Sequence, residues 1–224
     1  MILLPNKQEI LRYLGHRGQE IDRQTAALLD ECIETMATSI KPRFCYRLFR
    51  IEHNDNILLP ECNLSLSGRD ITNHLKDCQK CILLAVTLGI EADNLIRVAE
   101  AESMTRALIL DACATELTEK LCEHAEAELS KLAKSEGGFL TSRFSPGYGD
   151  FPIGLQNRIG EVLDTQRKIG LTITEQSLMI PRKSVTAVIG LTQSPCSATS
   201  NQNCTTCTLQ GRCQFQKEIN SYGN

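Results

Sequence analysis

The sequence lacks an excess of basic residues, because 24 Lys and Arg stand against 27 Asp and Glu, for a formal net charge of −3. Binding to a nucleic-acid backbone needs clustered Lys and Arg, so no nucleic-acid partner is expected. The longest apolar run, residues 81–90, is about half of a membrane-spanning helix. The first residues have no basic n-region and are broken by Pro5, which argues against a signal peptide. We therefore expect a cytoplasmic protein with no membrane partner.

The 11 cysteines fall into two groups. In a reducing compartment, cysteine-rich spacing indicates metal or redox chemistry more than a disulfide framework. Seven are scattered, most of them among apolar neighbours, where a free cysteine packs as a small hydrophobe. We predict that these seven are packing residues: Cys32, Cys45, Cys62, Cys78, Cys81, Cys113 and Cys122. The other four lie close together near the C-terminus.

Hydrophobic periodicity predicts helices and strands without strict alternation, which favours an α+β fold. Predicted helices cover residues 7–15, 22–40, a short stretch capped by Ser67 or Asp70, 91–134 in one or two pieces, and 155–168. Predicted strands or extended segments cover residues 44–52, 57–66, 139–144, 171–181 and 184–192. Residues 81–89 fit a buried strand or a buried helix segment equally well.

The region 91–134 carries apolar residues every three or four positions from Leu110 to Leu132, as expected of a helix face against a core. Its charged residues lie mostly off that face and are predicted to be solvated: Glu119, Lys120, Glu123, Glu126 and Lys131.

Residues 143–152, RFSPGYGDFP, combine two prolines and two glycines, which neither a helix nor a central strand tolerates. Pro146 and Gly147 suit the second and third positions of a turn with positive φ at glycine. One interpretation is a rigid connector. The other is a ligand loop, in which Gly147 admits a small molecule close to the backbone, Tyr148 offers an aromatic face, and Arg143 offers a fork for a carboxylate.

The segment 143–152 resembles the Arg-x-x-Pro-Gly-Tyr motif of the activation domain of cobalamin-dependent methionine synthase, which binds S-adenosylmethionine. Residues 171–190 resemble that family's segment of a Leu-Thr-Glu pair, a proline and a Ser-Val-Ser/Thr strand. Three further segments are similar to free-standing versions of the domain: 9–22, 70–89 and 110–120. The resemblance covers most of residues 7–192. It implies one α+β domain, 1–192, with a bent antiparallel sheet flanked by helices.

The resemblance also implies a ligand site. Arg143 would hold the carboxylate of the methionyl group, and Pro146, Gly147 and Tyr148 would line the adenosine side. Glu116 is the best match for an acidic residue that the family directs at the ligand; the alternative is one of several surface glutamates.

The implied function is repair of a corrinoid, in which methyl transfer from S-adenosylmethionine to cob(I)alamin pulls forward the reduction of inactive cob(II)alamin. The sequence has no D-x-H-x-x-G motif for cobalamin. We therefore expect the cobalamin on a partner that this chain serves in trans, a methionine synthase without its own activation domain. A low-potential electron donor such as flavodoxin completes the expected set of partners.

The remaining cysteines have the spacing C-x7-C-x2-C-x5-C: Cys196, Cys204, Cys207 and Cys213. Four thiolates suit tetrahedral zinc or an iron–sulfur cluster, so a metal site is predicted in a short cysteine-rich tail, 193–224. A tail with incidental thiols is the other interpretation. With a metal, the alternative function is a docking or electron-transfer module for another corrinoid methyltransferase. The C-x2-C pair Cys78 and Cys81 adjoins an apolar run and is assigned to core packing.

Overall fold

The computed structural model describes residues 3–193. The helices in this part of the chain are α1 Lys7–Tyr13, α2 Arg23–Ser39, α3 Arg69–Leu75, α4 Ile90–Glu102, α5 Met104–Ser135, α6 Leu155–Leu163 and α7 Thr165–Ile169. The strands are β1 Arg43–Arg50, β2 Glu52–His53, β3 Ile57–Leu59, β4 Leu64–Leu66, β5 Lys80–Thr87, β6 Phe139–Leu140, β7 Thr172–Ile173, β8 Met179–Ile180 and β9 Ser184–Thr192. Among residues 3–193, none of the helices combines the length and apolarity that crossing a membrane requires. The four C-terminal cysteines lie outside the described residues, so their metal site stays a prediction.

An antiparallel four-stranded sheet of order β1-β5-β9-β6 forms the centre of the fold. Its two inner strands, β5 and β9, pair from Lys80↔Leu191 to Thr87↔Ser184. Every residue of β5 after Lys80 is buried, because both faces of the sheet are covered. Of residues 81–89, those up to Thr87 therefore form a strand and not a helix.

Alternation along β5 divides the interior into two hydrophobic cores. Ile82, Leu84 and Val86 face a core built with α1, α2, α4 and α5. Cys81, Leu83 and Ala85 face a second core built with α3, α6, α7, β3 and β4. The fold is thus the predicted α+β arrangement, with helices on both sides of an antiparallel sheet.

The predicted helical region 91–134 consists of two helices that meet at Ser103. The Ser103 hydroxyl accepts a hydrogen bond from Arg106 N at 3.3 Å and so caps α5. The predicted apolar face of α5 is buried from Leu110 to Leu129, and Leu132 packs against the same core.

Three element predictions need correction. Residues 171–181 form a hairpin of β7 and β8 rather than one strand, because Ser177 takes a positive φ of 61° at the turn. The helix predicted at 155–168 is broken into α6 and α7 at Asp164, whose φ is 55°. The N-cap of α3 is Gly68, not Ser67 or Asp70, and it supplies no side-chain cap.

The scattered cysteines pack largely as predicted. Cys32, Cys78, Cys81, Cys113 and Cys122 are buried, whereas Cys45 and Cys62 are half-buried. Burial raises the pKa of Cys113 and of Cys122 to about 12, so both stay neutral thiols near pH 7. Residues 3–193 contain no group of three or more His, Cys, Asp or Glu arranged to hold a metal ion.

Candidate ligand-binding site

The loop of residues 143–152 begins at the edge of the central sheet. Phe144 and Val188 of β9 exchange two backbone hydrogen bonds, at 2.9 and 2.8 Å. Beyond this bridge the chain leaves the sheet and turns towards α6. Arg143, the residue before Phe144, is therefore positioned by the sheet itself.

The predicted turn at Pro146 and Gly147 is confirmed. Tyr148 N donates to Ser145 O at 3.2 Å, and Gly147 has a φ of 95°. These are the marks of a turn with proline second and a positive-φ glycine third. Gly147 N also donates to Phe151 O at 2.8 Å, which closes the loop on itself.

Asp150 fastens the loop to α3. Its carboxylate accepts hydrogen bonds from Arg69 N at 2.8 Å and Asp70 N at 2.9 Å, and Asp150 N donates back to the Asp70 carboxylate at 3.2 Å. These hydrogen bonds from the backbone of Asp70 and Arg69 lower the pKa of Asp150. The loop thus supplies the cap that Gly68 cannot. The exchange requires close approach at Gly149, where an added Cβ would collide with the Asp70 carboxylate.

His74 of α3 anchors the residues that lead into the loop. Its Nε2 lies 2.9 Å from Ser142 O and 3.0 Å from Thr141 Oγ1, and its ring centroid lies 5.1 Å from that of Phe144. Burial lowers the pKa of His74, which favours the neutral ring, with Nε2 donating to Ser142 O. No pattern in the sequence indicates this contact.

Arg143 is clasped by two carboxylates of α5. Its Nη2 donates to Glu119 Oε2 at 2.9 Å, and its Nε pairs with Glu126. The two glutamates are seven residues apart and so occupy one face of the helix, two turns from each other. The arginine side chain is 24% exposed. Burial raises the pKa of Glu126, and Arg143 opposes that rise.

The prediction of a solvated face holds only in part for Glu119 and Glu126, because their side chains keep 43% and 35% exposure but pair with Arg143. Both charges lie off the apolar stripe, as the periodicity required, and Arg143 of the loop approaches them from the side. A seven-residue spacing of acids beside a loop arginine was the available signal. This spacing predicts the contact only when the position of the loop beside α5 is known.

Glu116 is buried, with 3% of its surface exposed, so the interpretation as an ordinary surface glutamate is wrong. Its Oε1 accepts a hydrogen bond from Asn6 N at 3.2 Å. Burial raises the pKa of this carboxyl group. Glu116 thus binds the N-terminal segment to α5, one helical turn before Glu119 reaches the loop.

The other predicted site residues divide by exposure. Gly147 and Tyr148 are exposed, Tyr148 by 55%, whereas Pro146 is buried. The Tyr148 ring stands edge-on to Phe144 at 6.3 Å between centroids. Gly147 and Tyr148 therefore face solvent, whereas Arg143 is 24% exposed and Pro146 lies beneath the surface.

Two cavities in the described part of the chain lie away from this loop. One, of about 200 Å³, is apolar and lies between α1, α2 and α5, where Leu11, Leu29 and Leu108 line it. The other, of about 140 Å³, includes Arg43, Gly89 and Gly170. Neither is lined by a residue of 143–152.

Among solved structures, the chain is similar to the crystal structure of the MetH reactivation domain bound to AdoHcy. The TM-score is 0.60 with 17% sequence identity, and the match covers 82% of this chain and 74% of that chain. At this identity the likeness shows the fold alone, and the fold implied by the resemblance to methionine synthase activation domains is thereby confirmed. No protein-family model matches the sequence. No curated protein matches it either.

Replacing Gly149 by alanine tests how tightly the loop is held. We expect Gly149→Ala to destabilise the protein by about 1–3 kcal/mol, because the new methyl group collides with Asp70 and the backbone has a positive φ. The measurement is the free energy of unfolding in urea.

Gly154→Ala is the matched control. This glycine has a φ of −62° and no heavy atom within 4 Å of an added Cβ, so the change should be neutral or slightly stabilising. Equal losses of stability in the two variants would contradict the close approach of loop and helix.

Proposed function

We propose that the chain binds S-adenosylmethionine at residues 143–148 and supports reductive methylation of cob(II)alamin on a separate cobalamin-dependent methionine synthase. The observation that carries the proposal is the loop itself: a fixed arginine fork beside an exposed glycine and tyrosine, on the fold of a domain solved with AdoHcy. The sequence motif and the fold point to the same ligand.

The orientation of Arg143 suits a ligand carboxylate. Its two contacts with Glu119 and Glu126 use two of the five N–H donors of the guanidinium group. A side chain held in this way loses little rotamer freedom when a ligand arrives, and charge-assisted bonds from its remaining donors are strong. Arg143 would bind the carboxylate of the methionyl group, with Gly147 and Tyr148 on the adenosine side. Glu116, one helical turn before Glu119 on α5, would contribute its carboxyl group to the ligand site.

The charge around Arg143 favours a cation. Glu119 and Glu126 both pair with Arg143, so two carboxylates face one guanidinium group. S-adenosylmethionine carries a net positive charge, whereas S-adenosylhomocysteine, with a neutral thioether, carries none. The site would therefore bind the methyl donor in preference to its product.

The chain's contribution to the reaction is to position the donor. The partner's cobalamin, reduced by an electron from a low-potential donor such as flavodoxin, would accept the sulfonium methyl group and release S-adenosylhomocysteine. Arg143 and the loop would hold the ligand so that its methyl group faces outward. The exposure of Gly147 and Tyr148 leaves that side open to a second protein. The expected setting is the cytoplasm, with a methionine synthase that lacks its own activation domain.

Arg143→Ala should weaken binding of S-adenosylmethionine by about 2–3 kcal/mol, because a bidentate charge-assisted contact is lost. Calorimetric titration measures the change. Arg158→Ala is the matched control, since Arg158 is exposed and pairs with Glu161 on α6. Arg143→Lys, which keeps the charge without the fork, should show an intermediate loss. Equal affinity in the wild type and the alanine variant, with the fold verified by circular dichroism, would refute the assigned role.

The acidic stretch of α5 predicts discrimination between donor and product. S-adenosylmethionine should bind roughly two- to fivefold more tightly than S-adenosylhomocysteine at low salt, as expected for partly exposed charges. Added salt screens such charges. It should therefore reduce the ratio of the two affinities, mainly by weakening the binding of S-adenosylmethionine. A ratio of one, or a ratio that salt leaves unchanged, would remove the electrostatic part of the proposal.

Reactivation is the decisive assay. The protein is mixed with a cobalamin-loaded methionine synthase without an activation domain, S-adenosylmethionine and a low-potential reductant, and conversion of cob(II)alamin to methylcobalamin is followed by its absorption spectrum. We expect conversion to depend on this chain and to fall with Arg143→Ala. Conversion that is no faster with the protein than without it would reject the function, even where S-adenosylmethionine binds.

A further inference from the structure

The outer edge of β1 is open within the described residues. β1 is the terminal strand of the central sheet and pairs with β5 from Arg43↔Thr87 to Arg50↔Lys80. Ile51 N donates to Gln79 O at 2.9 Å, which fixes the alternation of the antiparallel ladder. Odd-numbered residues of β1 therefore bond to β5, and even-numbered residues direct their N–H and C=O groups outward.

Three consecutive outward positions have no backbone partner among residues 3–193: Phe44, Tyr46 and Leu48. At the end of the strand, the outward Arg50 N donates to Glu61 Oε1 at 3.1 Å. The free stretch is thus long enough for an added strand and ends where Glu61 closes it.

Positively charged side chains line one face of this edge. Arg43 and Arg47 are exposed, and neither forms an ion pair within residues 3–193. Lys168 of α7 adds a third cation; it and the carboxylate of Asp164 act in opposite directions on the Cys45 thiol, which lies between the two arginines. The flanking cations differ in this respect, because Lys41 pairs with Glu91 at 2.8 Å and Arg50 pairs with Glu61 at 3.1 Å.

The other face of the edge is aromatic. The rings of Phe44 and Tyr46 stack at 6.4 Å between centroids, with 16° between their planes. Tyr46 is 43% exposed. The ring of His124 of α5 stands edge-on to that of Phe44, with 6.1 Å between the centroids. His124 therefore borders the aromatic pair on the side of the core.

We infer that the β1 edge docks an extended segment of a partner protein in which acidic and apolar residues alternate. Side chains on one face of such a strand would meet Arg43, Arg47 and Lys168, and those on the other face would meet Phe44 and Tyr46. Main-chain hydrogen bonds to Phe44, Tyr46 and Leu48 would supply affinity, and the alternation would supply specificity. The segment adds a fifth strand to the sheet.

Charge decides against a second copy of this chain as the occupant. An antiparallel pair of β1 strands centred on Tyr46 would place the two copies of Arg47 as diagonal neighbours on one face, and like charges so placed are destabilising. An acidic residue in place of the second Arg47 would instead attract Arg47.

A seven-residue peptide with glutamate at odd and valine at even positions, acetylated and amidated, is the probe. Its fluorescein-labelled form should bind the full-length protein in an anisotropy titration, and a version with lysine for glutamate should not. The variant Arg43→Glu with Arg47→Glu should weaken binding by roughly tenfold or more, because like charges then oppose docking. Arg17→Glu with Arg97→Glu is the matched control, since both arginines are exposed elsewhere, and should leave binding unchanged.

Backbone methylation of the peptide separates strand addition from simple charge attraction. Neighbouring residues of a strand direct their N–H groups to opposite edges, so N-methylation of either the valines or the glutamates must abolish binding while the other set is tolerated. Tolerance of both sets, binding of the lysine peptide, or no binding of the acidic peptide would overturn the proposal. A dimer of the free protein in sedimentation equilibrium that Tyr46→Pro converts to monomer would also overturn it, because a second copy would then occupy the edge.

Discussion

The backbone pairing of β5 with β9 is the constraint on which the rest of the structure depends. It holds a strand that is buried on both faces, so one ladder separates and supports two hydrophobic cores. The Phe144–Val188 bridge extends the same sheet by one point of contact. The buried sheet therefore fixes the position of Arg143, although the loop itself lies at the surface.

Local chemistry explains what the sequence predicted well. The turn at Pro146 and Gly147 follows from the conformations these two residues favour, and the apolar face of α5 follows from helical periodicity alone. The break of the helix at Asp164 and the β7–β8 hairpin depend on non-glycine residues with positive φ, which local propensity disfavours. Those predictions failed where tertiary packing overrode the local preference.

Long-range contacts explain what the sequence did not predict. Asp150 caps a helix whose start lies about 80 residues earlier in the chain, and His74 reaches Ser142 across a similar separation. Nothing in α5 itself indicates that Glu119 and Glu126 pair with an arginine of the loop. The fold itself came from resemblance to a family, since periodicity gives element types but not the strand order β1-β5-β9-β6.

Helix α5 lies between the loop and the β1 edge, the two surfaces for which binding is proposed. Its His124 meets Phe44 on the β1 side, whereas Glu119 and Glu126 meet Arg143 on the loop side. Strand order separates the same two surfaces, because β5 and β9 intervene between β1 and the loop. A segment added at β1 therefore does not cover the loop, and both surfaces can be occupied together. The buried residues of α5 from Ala107 to Ala133 hold it in the core, so a ligand at one surface would have to displace a packed helix to alter the other. The proposed edge partner and the proposed ligand would therefore bind independently of each other.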